Sequence, residues 1–307
     1  MQSKLRRLAA LALLGALVVS GCATPRSDPA PAPSSGTYPM EVGPPNGRAI
    51  QLAKRPERIV SLAPTSTESL FAIGAGKQVV AVDEFSTFPA EAPKTDLSGF
   101  SPNIEAIVSH SPDLVVASDD IDGMVERLEK VKIPVLLLPA APDLDNVYAQ
   151  ISTLGKATGH VAEADSLAQR MRTDIDKIVR DTPKKTLRYY HELDDKFFTA
   201  TSSTFIGRVY GLFGLANIAD GAGGTGDYPQ LSAEQIVQSN PDLVFLADVK
   251  CCGQSAATVA ARPGWADLAA VRNGGVVALD DDIASRWGPR VVDLVRTVSD
   301  AVTKASK

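Results

Sequence analysis

Two segments about 129 residues apart spell nearly the same unit, Glu105-Ala-Ile-Val-Ser-His-Ser-Pro-Asp-Leu-Val115 and Glu234-Gln-Ile-Val-Gln-Ser-Asn-Pro-Asp-Leu-Val244. Seven of the eleven positions are identical. The spacing is far beyond the roughly 20–50 residues of a solenoid repeat. Each copy reads as a short helix, a Pro-Asp turn and an apolar strand. A chain built this way predicts two similar lobes, and two lobes enclose a cleft.

The order of elements around each copy supports that reading. Arg58–Leu62 reads as a strand, and Thr65-Ser-Thr-Glu68 fits a capping box for a helix carrying Leu70, Phe71 and Ile73 and ending at Gly74. A strand over Gln78–Val82 follows, then the first repeat helix, capped by Asn103 or Ser101, and its strand Leu114–Ala117. A helix near Met124–Val131, a strand Val135–Leu138 and a helix near Val147–Thr158 complete lobe one. Lobe two runs strand Leu187–His191, a helix from about Ser203 to Gly214, the second repeat helix capped by Ser232, and strand Leu243–Leu246. Helix Trp265–Val271, strand Val276–Leu279 and helix Val291–Val302 close the chain. Alternating strands and helices predict an α/β fold with mostly parallel sheets covered on both faces.

Between the lobes, Leu167, Met171, Ile175 and Ile178 recur at helical spacing within Ala162–Arg180, so one long amphipathic helix joins them. The expected organisation is residues 1–21 as a leader, 22–54 as a linker, 55–159 as the N-terminal lobe, 160–182 as the connecting helix and 183–307 as the C-terminal lobe. A helical connector also makes large lobe closure harder than paired strands would.

Lys4, Arg6 and Arg7 precede an apolar run from Leu8 to Val19 and the sequence Val19-Ser-Gly-Cys22. A basic start, a short apolar stretch and small residues at the cut describe a secretory signal, too short to span a bilayer. Cys22 sits where a bacterial lipoprotein is acylated, which predicts an extracytoplasmic protein anchored to the membrane by lipid alone. The formal net charge is −5; losing three leader cations leaves about −8, which argues against nucleic acid as a partner. Seven prolines between Ala23 and Gly47 read as a disordered tether.

Chemistry-bearing motifs are few. Gly221-Ala-Gly-Gly-Thr-Gly226 is a literal GxGxxG, but Asp227-Tyr-Pro229 follows where a helix would have to begin, so it reads as a rim loop. No P-loop lysine motif and no nucleophile elbow occur, and the histidines at 110, 160 and 191 are scattered. These motifs therefore point to no enzyme and to no resident metal or cofactor; a sensor or scaffold lipoprotein is one non-enzymatic reading. Cys251 and Cys252 are adjacent, and the sequence leaves open whether they pair with each other or remain thiols.

Four segments carry a resemblance: Arg58-Ile-Val-Ser-Leu-Ala-Pro-Thr-Ser-Thr-Glu-Ser-Leu70, Pro112-Asp-Leu-Val-Val116, Tyr228-Pro-Gln-Leu-Ser-Ala-Glu-Gln-Ile-Val237 and Arg286-Trp-Gly-Pro-Arg290. Together they resemble the solute-binding proteins of iron-siderophore, haem and cobalamin ABC importers, closest to the cobalamin-binding members, over about residues 55–304. The resemblance implies capture of a cobalamin-like corrinoid between the lobes and delivery to a permease dimer with its ATPase; a ferric siderophore or haem is the alternative ligand. It places Phe88, Phe100, Phe198, Tyr228, Asp282 and Arg286 at the ligand. It places Glu105 and Glu234 against the two permease subunits. Phe100 and Tyr228 stand where that relative has Trp. Arg286 and Arg290 are the evident cations for an anionic chelate, and Tyr189, Tyr190 and His191 the evident axial candidates for haem.

Overall fold

The computed structural model describes residues 37–45, 47–221 and 226–306. The leader, Cys22, the first part of the tether and residues 222–225 of the glycine-rich stretch lie outside the described residues.

Lobe one contains β3 (Ile59–Ser61), α1 (Pro64–Ala72), β4 (Val79–Val82), α2 (Ile104–Ser109), β5 (Leu114–Ala117), α3 (Met124–Lys130), β6 (Val135–Leu137) and α4 (Leu144–Thr158). It is preceded by a hairpin of β1 (Met40–Val42) and β2 (Ile50–Leu52). The connector is α5 (Val161–Asp181). Lobe two contains β7 (Arg188–Glu192), α6 (Phe205–Gly211), β8 (Ala216–Asn217), α7 (Ala233–Ser239), β9 (Leu243–Leu246) and the short helices α8 (Val249–Cys252), α9 (Ala256–Ala260) and α10 (Ala269–Arg272). It ends with β10 (Val276–Ala278), α11 (Asp281–Ser285) and α12 (Val291–Ala305).

The two sheets have one topology. Lobe one orders its strands β4-β3-β5-β6 and lobe two β8-β7-β9-β10, all parallel. In both, the strand order reverses beside the first strand, so a crevice opens at the carboxyl ends of β3 and β5 and again of β7 and β9. The expected fold class, two similar α/β lobes joined by one long helix, is what forms.

The repeat has a structural job at its Pro-Asp turn. Asp113 accepts hydrogen bonds from the backbone of Glu57 (3.1 and 3.0 Å) and Arg58 (2.9 Å). Its counterpart Asp242 accepts one from the backbone of Arg188 at 2.8 Å. Each aspartate thus pins the start of its lobe's first strand. The residues before the two prolines, Ser111 and Asn240, both turn with positive φ (49° and 41°), a conformation most residues avoid and Asn tolerates.

Two expectations are corrected. The hairpin strands Met40–Val42 and Ile50–Leu52 are not part of a disordered tether: Val42, Ile50 and Leu52 are buried in the core, and Tyr38 donates a 2.9 Å bond to the carbonyl of Ala157 at the end of α4. The alternation Ile50-Gln51-Leu52, buried–exposed–buried, is a strand signal that neighbouring prolines mask. Thr65–Glu68 is not a capping box either. Pro64 opens α1 at its first turn, with Ala63 at the cap, which suits a residue without an N–H. That start carries Glu68 past the capping position and into the interior, where it is 2% exposed.

The lobes do not have separate cores. One apolar cluster runs from Ile59 and Leu70 of lobe one through Met171 and Ile175 of α5 to Phe205, Phe245 and Val298 of lobe two. Smaller clusters cover the outer faces: Val60, Ile107 and Leu128 in lobe one, Tyr190, Ile236 and Trp265 in lobe two. Truncating Ile175 to Ala should therefore cost about 2–5 kcal/mol. It should shift one cooperative urea transition of the whole chain, seen by far-ultraviolet circular dichroism; a second transition left unmoved would show independent lobes.

Lobe two also buries ionisable groups. Glu192 is gripped by Arg262 through two 2.6 Å hydrogen bonds, and Asp248 lies buried beside it with no donor among the described residues. Burial, then the negative Glu192, pushes the Asp248 carboxyl up to about 7. Buried His191, bonded to the Tyr210 hydroxyl at 2.8 Å, is pushed down to about 4 by desolvation.

Their effects on stability oppose each other. Folded Asp248 keeps a proton that the unfolded chain loses near about 3.9, so its contribution falls as pH rises from there to about 7. Folded His191 refuses a proton that the unfolded chain takes up near about 6.5, so its contribution falls as pH drops from there to about 4. Asp248→Asn should expose the histidine slope, with urea midpoints rising with pH between about 4 and 6.5, and should be more stable than the parent at about pH 8. A parallel pH profile in parent and variant would count against the buried pair.

Candidate functional site

Parallel strands send their carboxyl ends, and the loops that follow them, toward one face of each lobe. There the loops after β3, β4, β5 and β6 meet the segment from α11 to α12 around a cavity of about 440 Å³. Its walls include Thr65 and Ser66, Phe85 and Phe100, Ser118 and Asp119, Pro139–Ala141 and Ser285–Trp287. Larger cavities of about 700 and 820 Å³ lie at the amino-terminal ends of the two sheets, beside Asp113 and Asp242, and hold none of the exposed aromatics.

Among the described residues the exposed large hydrophobic side chains are Val131 and five aromatics: Phe85, Phe88, Phe100, Phe198 and Tyr228, 37–76% exposed. All five follow the carboxyl ends of strands. Phe85 and Phe88 leave β4 on a loop anchored from below. Asp83 accepts from the Ser86 hydroxyl, Ser86 bonds Thr67 of α1 at 2.9 Å, and Thr67 donates to Ser61 at 2.8 Å. Burial raises the Asp83 carboxyl above its usual range, with the Ser86 bond opposing. Phe100 meets Phe85 edge to face at 5.8 Å, a favoured aromatic geometry. Gly99 lets this loop press on β3: a Cβ there would lie 2.4 Å from the carbonyl oxygen of Leu62.

Phe198 and Tyr228 share a second rim on lobe two. Phe198 bridges Gln230, and the neighbouring Thr199 N–H donates to the Pro229 carbonyl at 3.0 Å. These two aromatics stand close to each other but do not wall the 440 Å³ cavity. The Tyr228 hydroxyl is raised above its ordinary pKa by partial burial and by Asp227. Phe197, by contrast, turns inward with φ of 67° and stacks on Trp265 at 5.6 Å.

The cations are already paired. Arg286 bonds Asp282 at 2.8 Å and reaches the Thr87 hydroxyl at 3.4 Å, next to Phe88. Arg290 clasps both oxygens of Glu68, one at 2.8 Å, while its guanidinium lies 4.3 Å from the centre of the Phe88 ring. The Glu68 bond raises the arginine pKa further, so the guanidinium stays charged. It spans 222 positions of sequence and joins α1 to the start of α12.

The sequence-predicted residues therefore divide. Phe88, Phe100, Asp282 and Arg286 are linked at or beside the cavity wall, whereas Phe198 and Tyr228 lie on a separate pair of loops on lobe two, outside its lining. Phe85, Trp287 and the Glu68–Arg290 pair were missed. Phe85 shares a Phe-Ser-Thr-Phe loop with Phe88 and could have been found there; the ion pair, split between the ends of the chain, could not. Tyr189, Tyr190 and His191 are fully buried, the first and last within hydrogen bonds to Asn217 and Tyr210, so they offer no axial ligand at the cleft. Cys251 and Cys252 are bonded to each other on α8.

Glu105 and Glu234 occupy matching first turns of α2 and α7, whose caps Asn103 and Ser232 bond the third residue on at 3.1 Å each. A helix returning to the next parallel strand begins on the carboxyl-end side, so one glutamate stands on that face of each lobe. Both are exposed, and neither joins an ion pair among the described residues.

Comparison with known proteins agrees with this layout. The chain is 29% identical over 303 residues to YvrC, an uncharacterised ABC transporter substrate-binding lipoprotein of Bacillus subtilis (strain 168), covering 94% of each. It is 32% identical over 287 residues to a cobalamin-binding protein of Halobacterium salinarum, covering 90% of this chain and 78% of that one. The crystal structure of the periplasmic vitamin B12-binding protein of Vibrio cholerae superposes with a TM-score of 0.67 at 27% identity, over 82% of this chain and 98% of that one. The family model described as periplasmic binding protein matches residues 59–283, and the chain belongs to that family.

Proposed function

We propose that this protein is the substrate-binding lipoprotein of an ABC importer, held outside the cytoplasm through Cys22, and that it captures a cobalamin-like corrinoid between its lobes. The observation that carries the reading is the pairing of aromatic exposure with charge neutrality. Five aromatic side chains are exposed at the carboxyl-end loops, while both nearby arginines are bound to carboxylates. Exposed aromatics in such numbers mark a surface that expects a partner. They suit a broad, partly apolar macrocycle with a few polar groups to orient it.

The rival ligands fit less well. A polyanionic ferric siderophore calls for cations free to meet it, and Arg286 and Arg290 already face Asp282 and Glu68. Haem calls for an axial side chain, and the clustered Tyr189, Tyr190 and His191 are core residues. The relatives named for cobalamin and vitamin B12 support the corrinoid in the same direction. Delivery then falls to the rim: Glu105 and Glu234, one on each lobe, would each meet a cation of one permease subunit, where charge-assisted bonds and electrostatic steering act together. The protein itself does no chemistry on its cargo, and the importer's ATPase supplies the energy.

Titration of the purified protein with cyanocobalamin, followed by its visible spectrum, should saturate at one equivalent, while a ferric catecholate siderophore and haemin should not compete. No saturable corrinoid binding would defeat the ligand assignment. Phe100→Ala and Phe198→Ala should each weaken binding by about tenfold or more, from the roughly 1.5–3 kcal/mol that burying a Phe contributes, without lowering the melting temperature.

Docking is read separately. Glu105→Lys with Glu234→Lys should abolish corrinoid uptake in cells and leave the titration unchanged; retained uptake would refute docking through these carboxylates.

A further inference from the structure

The vicinal cysteines sit next to the ligand loop. Cys251 and Cys252 are exposed on α8, directly after the carboxyl end of β9. That helix is gripped by α11. The Asp281 carboxylate accepts hydrogen bonds from the backbone N–H groups of Val249 (3.1 Å), Lys250 (2.9 Å) and Cys251 (3.1 Å). The Lys250 ammonium bridges Asp280 at 2.8 Å and Asp282 at 3.0 Å. Asp282 in turn holds Arg286, which walls the cleft cavity and touches Thr87 of lobe one. A continuous run of polar contacts thus leads from the sulfurs' own helix to a guanidinium in the cleft.

We propose that Cys251 and Cys252 form a thiol–disulfide exchange site whose redox state sets the position of Arg286, and that its reaction partner is an extracytoplasmic dithiol reductant. One thiolate of the reductant attacks a cysteine sulfur, the S–S bond breaks, and the departing cysteine takes a proton. The reductant's second thiol then attacks the mixed disulfide, closing the reductant's own disulfide and releasing the second cysteine as a thiol. Two electrons and two protons pass to the cysteine pair. Exposure supplies the access that such exchange needs.

The mechanical consequence follows from the ring. A disulfide between neighbours holds their shared peptide, and therefore the turn of α8, in one arrangement. Opening it frees the backbone N–H groups that Asp281 fixes and the lysine that Asp280 and Asp282 share. Asp282 and Arg286 then lose one side of their support. The effect on ligand affinity rests on the corrinoid reading; the release of Arg286 does not.

The test compares the oxidised full chain with itself after dithiothreitol, using iodoacetamide and mass spectrometry to count thiols and hydrogen–deuterium exchange to follow the backbone. Reduction should yield two alkylated cysteines in residues 249–254. Exchange should become roughly twofold to fivefold faster there and in 279–287, the range expected for losing one exposed ion-pair link, with α2 unchanged. Lys250→Met should loosen 279–287 in the oxidised chain and blunt the response to dithiothreitol. Cyanocobalamin affinity, measured on the same samples, should fall by a similar factor. Unchanged exchange in 279–287 after complete reduction would overturn the linkage, and so would two free thiols in the chain isolated under oxidising conditions. If neither redox form binds cyanocobalamin, the corrinoid assignment falls while the exchange data still decide the linkage.

Discussion

The apolar cluster wrapped around α5 is the contact on which the rest of the molecule depends. Two sheets with the same strand order would, by themselves, make two small domains on a flexible joint. Instead α5 sends Met171 and Ile175 into a core that already contains Ile59 and Leu70 from one lobe and Phe245 and Val298 from the other. Moving the lobes far apart would expose that shared surface, at about 25 cal/mol for each Å² of apolar area. The cleft is therefore a gap in one body. The hairpin β1–β2 adds to the same cluster from the outside, which is why residues in a proline-rich setting are nevertheless ordered.

On that frame the cleft takes its character from strand direction and charge pairing. Within each lobe the parallel strands point their carboxyl ends at one face, so loops distant in sequence deliver Phe85, Phe88 and Phe100 to that face of lobe one, and Phe198 and Tyr228 to that of lobe two. The side chains that could have made this face cationic are satisfied from within. Arg286 has Asp282, four residues before it, and Arg290 has Glu68, buried in α1. What remains outward there is aromatic, with each of these two arginines already facing a carboxylate.

Much of this was legible in the sequence because it is local. The Glu-x-Ile-Val…Pro-Asp-Leu-Val repeat carries its own cap, turn and strand within eleven residues, and Asn103, Ser232, Asp113 and Asp242 all act close to home or at the start of the adjacent strand. The connector announces itself through a 3.6-residue period. The aromatic positions came through likeness to a family, and the structure places them on loops rather than in the core. The missed features depend on distance or on masking. Glu68 looked like a cap because Thr65 precedes it by three, and only the start of the helix at Pro64 shows that it faces inward toward a partner 222 positions away. The hairpin strands are three residues each, too short for a period to emerge among prolines.

The Glu68–Arg290 pair has one more consequence. The matched sheets make the two halves look interchangeable, yet the acid belongs to one half and its base to the other. Glu68 is 2% exposed, and a buried carboxylate deprived of its partner costs several kcal/mol. Neither half is electrically complete without the other. A chimaera that replaced one half with another of the same strand order would therefore have to carry the matching charge at position 68 or 290.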